Sequence, residues 1–118
     1  MENGGYLMIT IRSQDKLHIV DVKTVTLNYS DRKQIIANYM PPENGENGLE
    51  YYEILGTYET KERAMEVLNE IANMIYMREL FVTDISGFKK AMLFDKNMTP
   101  EDLNKLIKQL CVYQMPEE

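Results

Sequence analysis

The segment ILGTYETKERAMEVLNEI (residues 54–71) joins a strand pattern to an amphipathic helix pattern. A β-type run through Gly56 leads to Thr60, and threonine commonly caps a helix because its hydroxyl accepts an unpaired backbone N–H. Apolar residues then recur at helical spacing: Ala64, Val67, Leu68, Ile71 and Ala72. We therefore predict a long helix that begins after Thr60, ends near Met77 or Leu80, and packs on a β-sheet.

The residues before this segment carry strand patterns. Apolar residues alternate with others in 6–12, which predicts a half-buried strand with Leu7, Ile9 and Ile11 on its inner face. A turn at 13–16 follows. The β-branched run at 17–29 is either one bent strand or two strands, because its alternation loses phase near 21–23.

Two segments of the chain are expected to lie outside regular structure. We expect residues 1–5 to form a flexible leader, since the Asn-Gly-Gly within it has nothing to pack. Residues 41–48 contain Pro-Pro and two Asn-Gly pairs, which predict an exposed loop. This loop is either the tip of a hairpin that pairs 33–40 with 49–58 or a lid over a ligand.

The last third of the chain holds a second helix signal. Thr99 and Pro100 form a typical helix start, and acidic residues occupy the first turn. Apolar residues at helical spacing follow: Leu103, Leu106, Ile107 and Leu110. Residues 111–113 are expected to return to the sheet as a last strand. Residues 81–97 are strongly apolar, but their pattern does not say whether they are helical.

These patterns predict one α+β domain that spans residues 1–118. We expect an antiparallel sheet of about four to five strands, packed by one long amphipathic helix and a shorter C-terminal helix. Apolar residues make up 44% and charged residues 27% of the chain, which is ordinary for a globular protein with its own core. The 118 residues are enough to form that core without disulfides or metal.

Composition also limits the partners and the compartment. The formal net charge is −6 and no basic cluster is longer than two residues, as in Lys89-Lys90, so binding to nucleic acid through phosphates is not expected. A single cysteine, Cys111, permits a reducing compartment. The chain contains neither a secretory signal nor an apolar run long enough to span a bilayer, and we predict a cytoplasmic protein.

The residue types needed for catalysis are sparse. His18 is the only histidine and lies in a strand-like run, and Cys111 lies in an apolar terminal segment. One histidine and one cysteine do not supply a zinc site, and the acidic residues do not follow calcium-loop spacing. The chain has no glycine-rich phosphate loop. We therefore predict a protein that is not an enzyme and that has no cofactor or metal.

A few arginine and aromatic residues remain as candidate ligand contacts. Arg12 lies in the first predicted strand, where it either pairs with Asp15 or a neighbouring acid, or binds an anion. Arg78 and Phe81 lie near the end of the long helix, where they offer a charge for a phosphate and a ring for a base. From this chemistry the predicted ligand-binding residues are Arg12, Arg78, Phe81, Phe88 and Asn97.

Four short segments, in the same order, resemble a set of small proteins common in prophages of Firmicutes. The segments are ITIRSQDK (9–16), LGTY (55–58), ERAMEVLNEI (62–71) and VYQMPE (112–117). The resemblance does not extend to 28–48 or 81–96. Within this set, the chain is similar to the Thoeris anti-defence sponges of phages.

This resemblance implies a function and a mode of assembly. Such sponges bind cyclic ADP-ribose isomers made by bacterial TIR-domain enzymes and hold them without cleavage. They form dimers and higher oligomers with pockets at the subunit contacts, where an aromatic ring meets the base and arginines meet the pyrophosphate. The chain is thus expected to be a homo-oligomeric sponge for a cyclic ADP-ribose-type signal.

Two other functions fit the same residues. A small phage protein-interaction module would use the Met, Tyr and Phe side chains to bind a host or phage protein. An enzyme that cleaves the signal would release an altered product. The residues alone do not separate these alternatives from a sponge, and they do not indicate which nucleotide isomer would bind.

Overall fold

The computed structural model describes residues 9–22, 24–39 and 51–118 of the chain. In chain order the elements are β1 (Ile9–Arg12), β2 (Ile19–Val22), β3 (Thr24–Leu27), β4 (Gln34–Tyr39), β5 (Tyr51–Thr57), α1 (Lys61–Thr83), α2 (Ile85–Lys90), a π-helical turn (Ala91–Asp95), α3 (Pro100–Cys111) and β6 (Tyr113–Gln114). The predicted α+β class is confirmed. The predicted leader at 1–5 and loop at 41–48 lie outside the described residues.

The described strands form two three-stranded sheets with the orders β2-β1-β6 and β3-β4-β5. In the first sheet β1 is antiparallel to β2 and parallel to β6, so that Ile11 lies opposite both Val20 and Tyr113. The second sheet is antiparallel throughout. The prediction of one antiparallel sheet of four to five strands was therefore wrong. One reason is that β6 returns to β1 only after α1, α2, the π-helical turn and α3, and it runs parallel to β1 rather than antiparallel as in a hairpin.

The division into two sheets occurs inside the β-branched run. β2 pairs with β1, whereas β3 pairs with β4 in the other sheet. Val22 is buried, and Val25 packs against the same core although it lies three positions later. Because strand side chains alternate, this odd spacing requires a shift of phase between the two strands. Of the two interpretations of this run, the structure has two strands.

The predicted β4–β5 pairing is present, with Gln34 opposite Thr57 at one end and Tyr39 opposite Tyr51 at the other. Close packing explains the glycine near the end of β5. A Cβ on Gly56 would lie 3.0 Å from the Tyr58 hydroxyl oxygen and 3.2 Å from the Met115 methyl carbon. A side chain at this position would therefore require the Tyr58 ring and the end of the Met115 side chain to shift by a few tenths of an ångström.

Helix α1 begins where the sequence predicts. The Arg63 backbone N–H donates to the Thr60 hydroxyl at 3.0 Å, which confirms the predicted N-cap. The helix continues to Thr83, beyond the predicted end. Its core-facing residues follow steps of three, four, three, three and four: Ala64, Val67, Ile71, Met74, Met77 and Phe81. These steps average less than the 3.6 residues of a helical turn, so the apolar stripe winds around the helix and reaches two different cores.

The first core, here called the sheet core, lies between the sheets and the first half of α1. Tyr113 and Met115, at the C-terminal end, are fully buried in it. Its buried members are Ile9, Ile11, Val22, Ile35, Ala37, Leu55, Tyr58, Ala64, Val67, Ile71, Tyr113 and Met115. Residues far apart in sequence thus meet here, because β6 and the residues after it close the side of the core beside β1.

The second core, here called the helical core, is smaller. Its buried members are Phe88, Leu103 and Leu110, and partly buried side chains surround them, including Met74, which also packs on the sheet core. We call residues 76–111 the helical unit.

Residues 81–97, whose pattern did not indicate their structure, are mostly helical. Helix α1 ends at Thr83, and the Asp84 carboxylate accepts the Gly87 N–H at 2.9 Å to cap α2. The predicted start of α3 is confirmed, since the Asp102 N–H donates to the Thr99 hydroxyl at 3.0 Å.

None of the helices in the described part of the chain combines the length and the apolarity needed to cross a membrane.

Candidate functional site

A hollow lies where β5 passes into α1. It encloses about 640 Å³ and is lined by Thr57, Tyr58, Glu59, Thr60, Arg63, Glu117 and Glu118. A volume of this order matches the pockets that hold small ligands. We call it the α1 entry hollow. The last residues of the chain lie along it because β6 leads them past the start of α1.

Hydrogen bonds hold the walls of the α1 entry hollow in place. The Arg63 side chain donates from Nε to the Glu118 carbonyl oxygen at 2.9 Å and from Nη1 to the Glu66 carboxylate at 3.1 Å. Its guanidinium carbon lies 6.0 Å from the centre of the Tyr58 ring. The Tyr58 hydroxyl donates to the Pro116 carbonyl at 2.9 Å. An arginine and an aromatic ring therefore share one wall, and both contact the C-terminal residues.

Burial changes the acid–base behaviour of two tyrosines in this region. Burial raises the pKa of Tyr58 to about 12. Burial also raises the pKa of Tyr113, and the hydrogen bond from its hydroxyl to the Glu70 carboxylate raises it further. Both phenols therefore remain protonated donors at neutral pH. They can position a group, but they are too weakly acidic to supply a phenolate base.

The charge of the α1 entry hollow is unfavourable for a phosphate. Among the described residues that line it, one side chain, Arg63, is basic, whereas Glu59, Glu117 and Glu118 are acidic. A pyrophosphate in this hollow would meet three carboxylates and a single guanidinium that already contacts two oxygen atoms. The α1 entry hollow can therefore hold a polar ligand, but it does not suit the dianionic group expected from the sequence.

Four of the five predicted ligand contacts belong to the helical unit. Phe81 is half-buried and its ring packs edge-on against Phe88, with centroids 5.4 Å apart and an interplanar angle of 77°. Phe88 is only 5% exposed, so its ring serves the helical core. Arg78 is half-buried one turn before Phe81 on α1. Asn97 is exposed between the π-helical turn and α3, with a left-handed φ of 55°.

Arg12 is separated from this group. Its neighbour Ile11 pairs with Tyr113, and the Tyr113 hydroxyl donates a hydrogen bond to Glu70 of α1. This end of β1 therefore lies near Glu70, which is eleven residues, or about 16 Å along the helix, from Phe81. The Arg12 side chain also lies on the exposed face of β1, opposite the core. The structure therefore does not bring Arg12 to the other four residues.

Arg12 and Asp15 do not form the salt bridge that the sequence suggested. Arg12 Nε instead donates to the Lys16 carbonyl at 3.2 Å. The Asp15 carboxylate accepts the Ser13 hydroxyl at 2.6 Å and the Leu17 N–H at 2.9 Å. These two hydrogen bonds hold the pKa of Asp15 below its usual value. Both side chains thus stabilise the β1–β2 turn.

One exposed aromatic residue is not among the predicted ligand contacts. Phe94, in the π-helical turn, is 73% exposed. Four more large apolar side chains of the helical unit are exposed: Tyr76, Leu80, Val82 and Ile85. The apolar character of 81–97 was visible in the sequence. Its division between core and surface depends on the π-helical turn, which periodicity does not predict.

The helical unit also differs from the rest of the chain in charge. Residues 76–111 contain six basic and five acidic side chains, whereas the remaining residues contain seven basic and fourteen acidic side chains. Lys89 and Lys90 end α2 and Lys96 follows the π-helical turn, and all three are exposed. Basic charge and an exposed ring are therefore close together along this part of an acidic chain.

The remaining chemical candidates are surface groups. Among the described residues, no group of three or more His, Cys, Asp or Glu side chains is arranged to hold a metal ion. His18 Nδ1 lies 3.7 Å from the Glu53 carboxylate, and Cys111 is exposed. In comparisons with protein-family models, curated proteins and solved structures, nothing matches this chain.

Proposed function

We propose that this protein is an anti-defence sponge that binds a cyclic ADP-ribose-type signal and sequesters it without cleaving it. The proposal rests on the resemblance carried by four sequence segments. One structural observation supports it, which is the combination of basic charge and exposed aromatic surface in the helical unit. The proposed setting is the cytoplasm of an infected or lysogenic bacterium.

The chemistry of the helical unit fits such a ligand better than the α1 entry hollow does. A pyrophosphate needs cationic donors, and Arg78, Lys90 and Lys96 supply them in the helical unit. A base needs a free ring face, which the exposed Phe94 offers. Stacking of a base on an aromatic side chain contributes about 1–3 kcal/mol. A sponge with a Kd near 1 nM needs about 12 kcal/mol in total, so several such contacts are required.

Association of subunits would complete the site. One subunit leaves Tyr76, Leu80, Val82, Ile85 and Phe94 at the surface of the helical unit. A contact between two copies would cover apolar surface of this kind and place two sets of basic side chains around one pocket. We therefore expect a dimer or a higher homo-oligomer. Light scattering at micromolar concentration tests this, and a monomer would contradict it.

The binding test uses the purified protein and a cyclic ADP-ribose isomer made by a TIR-domain enzyme. After incubation, free nucleotide is removed by filtration and the protein is denatured by heat. Mass spectrometry of the released fraction should detect the intact nucleotide. An altered product would show that the protein cleaves the signal, and a protein fraction without nucleotide would contradict sequestration of that isomer.

Matched variants locate the site. Arg78→Gln should weaken binding by about 10- to 100-fold, because a hydrogen bond to a charged group contributes about 1.5–3 kcal/mol. Phe94→Ala should weaken it by about 5- to 100-fold through lost stacking. The control is Tyr29→Ala, which removes another exposed ring, stacked 5.3 Å from the Arg32 guanidinium in the sheet region. Equal losses in all three variants would contradict a site in the helical unit.

The alternative function is a protein-interaction module. The exposed apolar side chains of the helical unit favour it, because a partner protein would cover them as well as a second subunit does. The two functions differ in their ligands. A module would retain no nucleotide in the filtration assay, and it would recover one specific host or phage protein whose binding is lost in Phe94→Ala.

A further inference from the structure

Two acidic residues of the C-terminal segment cover one side of the α1 entry hollow. Before them, Met115 is fully buried, and the Pro116 carbonyl accepts the Tyr58 hydroxyl at 2.9 Å. Glu117 and Glu118 follow; both are exposed and both line the hollow. We call residues 117–118 the strap.

Donors from two separate elements hold the strap. Gln14 Nε2, in the β1–β2 turn, donates to the Glu117 carbonyl at 2.7 Å. Lys16 Nζ, in the same turn, lies 3.2 Å from the Glu117 carboxylate. Arg63 Nε, in the first turn of α1, donates to the Glu118 carbonyl at 2.9 Å. An amide, an ammonium and a guanidinium therefore converge on oxygen atoms of the strap.

Two of these donors are also held in place by contacts outside the strap. The Gln14 backbone N–H donates to the Leu55 carbonyl at 2.7 Å, and its side-chain Oε1 accepts the Thr57 N–H at 2.9 Å. Arg63 Nη1 donates to the Glu66 carboxylate at 3.1 Å. These donors therefore keep their positions when the strap leaves, and they form a preorganised site for other oxygen atoms.

The strap itself is weakly held. The side chains of Glu117 and Lys16 are 75% and 52% exposed, and ion pairs between such exposed side chains stabilise little. A surface segment of this kind opens at a lower free energy than the core behind it. The buried Met115 and the hydrogen-bonded Pro116 fix the point at which the segment hinges.

Opening of the strap changes the charge of the α1 entry hollow. In the closed arrangement Glu59, Glu117 and Glu118 face Arg63. After opening, Glu59 is the one acidic side chain left of the described lining. Arg63 and Lys16 lose their contacts to the strap at the same time. A guanidinium and an ammonium are strong donors to anionic oxygen atoms.

We propose that the strap is an autoinhibitory contact that keeps an oxyanion out of the α1 entry hollow, and that its opening lets Gln14, Lys16 and Arg63 bind that oxyanion. Because these donors contact oxygen atoms of two consecutive residues, the ligand is expected to carry several anionic oxygen atoms, as a pyrophosphate does. This inference is independent of the proposed function, since it concerns a different region from the helical unit.

Deletion of residues 117–118 tests the autoinhibition. Binding of inorganic pyrophosphate to the full and the shortened chain is measured by calorimetry. The shortened chain should bind at least about tenfold more tightly, because a closed strap lowers the apparent affinity by the fraction of molecules in which it is open. Equal affinities would overturn the proposal.

A matched variant controls for net charge. Glu101→Gln with Asp102→Asn removes two exposed carboxylates from the start of α3, and this variant should bind pyrophosphate like the unaltered chain. A gain equal to that of the shortened chain would overturn the proposal, because net charge alone would explain it. If the shortened chain lacks a cooperative thermal transition, Glu117→Gln with Glu118→Gln replaces it, and an affinity equal to that of the unaltered chain would again overturn the proposal.

Two arginine variants locate the bound pyrophosphate in the shortened chain. Arg63→Gln should weaken binding by at least about tenfold through the loss of a charged hydrogen-bond donor, whereas Arg78→Gln should leave it unchanged. The Arg63 Nε–H resonance should also shift on addition of pyrophosphate. Binding that is lost in Arg78→Gln and kept in Arg63→Gln would place the anion in the helical unit and overturn the proposal.

Discussion

The two cores differ in how completely they bury their apolar residues. In the sheet core, residues from six strands and α1 meet, and Ile11, Ile35, Tyr113 and Met115 are fully buried. In the helical core, buried Phe88, Leu103 and Leu110 are surrounded by half-buried side chains, and five large apolar residues of the same unit are exposed. The helical core is small, and it does not cover all the large apolar side chains of the helical unit. The sheet region thus holds the more completely buried core, while the helical unit leaves apolar side chains exposed at its surface.

The largest expected effect is the loss of the sheet core. Ile71→Asp places a carboxylate where the side chain is 1% exposed, and it should destabilise the protein by more than about 4 kcal/mol. Circular dichroism should then show no cooperative thermal transition. The control is Ala72→Asp, at the next, exposed position of α1. A cooperative transition in Ile71→Asp would contradict the assigned helix face.

Two leucine truncations compare the cores directly. Leu55→Ala in the sheet core and Leu103→Ala in the helical core should each cost about 2–5 kcal/mol. Hydrogen exchange should show faster exchange throughout the chain for Leu55→Ala. For Leu103→Ala the increase should be confined to the helical unit, because the sheets retain their core. Matching exchange patterns in the two variants would mean that the cores open together.

Alkaline pH should destabilise the sheet core. The pKa of Tyr58 is raised from 10.0 to about 12 in the folded protein, so the unfolded chain releases this proton first. Stability is therefore retained below pH 10 and falls between pH 10 and 12, by at most about 1.4 kcal/mol per pH unit for this ring. Tyr113, whose pKa is also raised, should contribute in the same direction.

Urea unfolding across this pH range measures the effect. Tyr58→Phe should reduce the slope of stability against pH, whereas Tyr29→Phe should not, because Tyr29 is 87% exposed. A slope that is the same in both variants would contradict burial as its cause.

The smallest expected effects come from the helix caps. Thr60→Ala and Thr99→Ala should each cost about 1 kcal/mol, since each removes a 3.0 Å hydrogen bond to an N-terminal backbone N–H. Serine at either position should restore most of the loss. Thr60→Ala should destabilise both cores through α1, and Thr99→Ala the helical core alone. Hydrogen exchange that rises equally in the sheets for both variants would contradict this division.

The sequence predicted local structure well where one physical signal dominated. Thr60 and Thr99 were identified as caps because their hydroxyls satisfy unpaired N–H groups at helix starts. The inward face of β1 followed from simple alternation at Ile9 and Ile11. The α1 stripe was predicted only for its first half, because its later residues turn toward a second core that periodicity does not reveal.

The candidate site was less predictable. Phe81 and Phe88 were chosen as rings for a ligand, but the two rings pack against each other and Phe88 is buried. Phe94 was not chosen, because the π-helical turn that exposes it has no clear sequence signature. The Tyr58–Arg63 contact was also missed, since it depends on C-terminal residues that return to the start of α1.

The sequence by itself determined the α+β class, the helix starts and the faces of the early strands, because each depends on neighbours within a few residues. Tertiary structure decided the rest. The split into two sheets, the parallel placement of β6 beside β1, and the separation of Arg12 from the helical unit all depend on contacts between distant segments. Such contacts form when apolar faces compete for a limited core, and local spacing does not encode which faces meet.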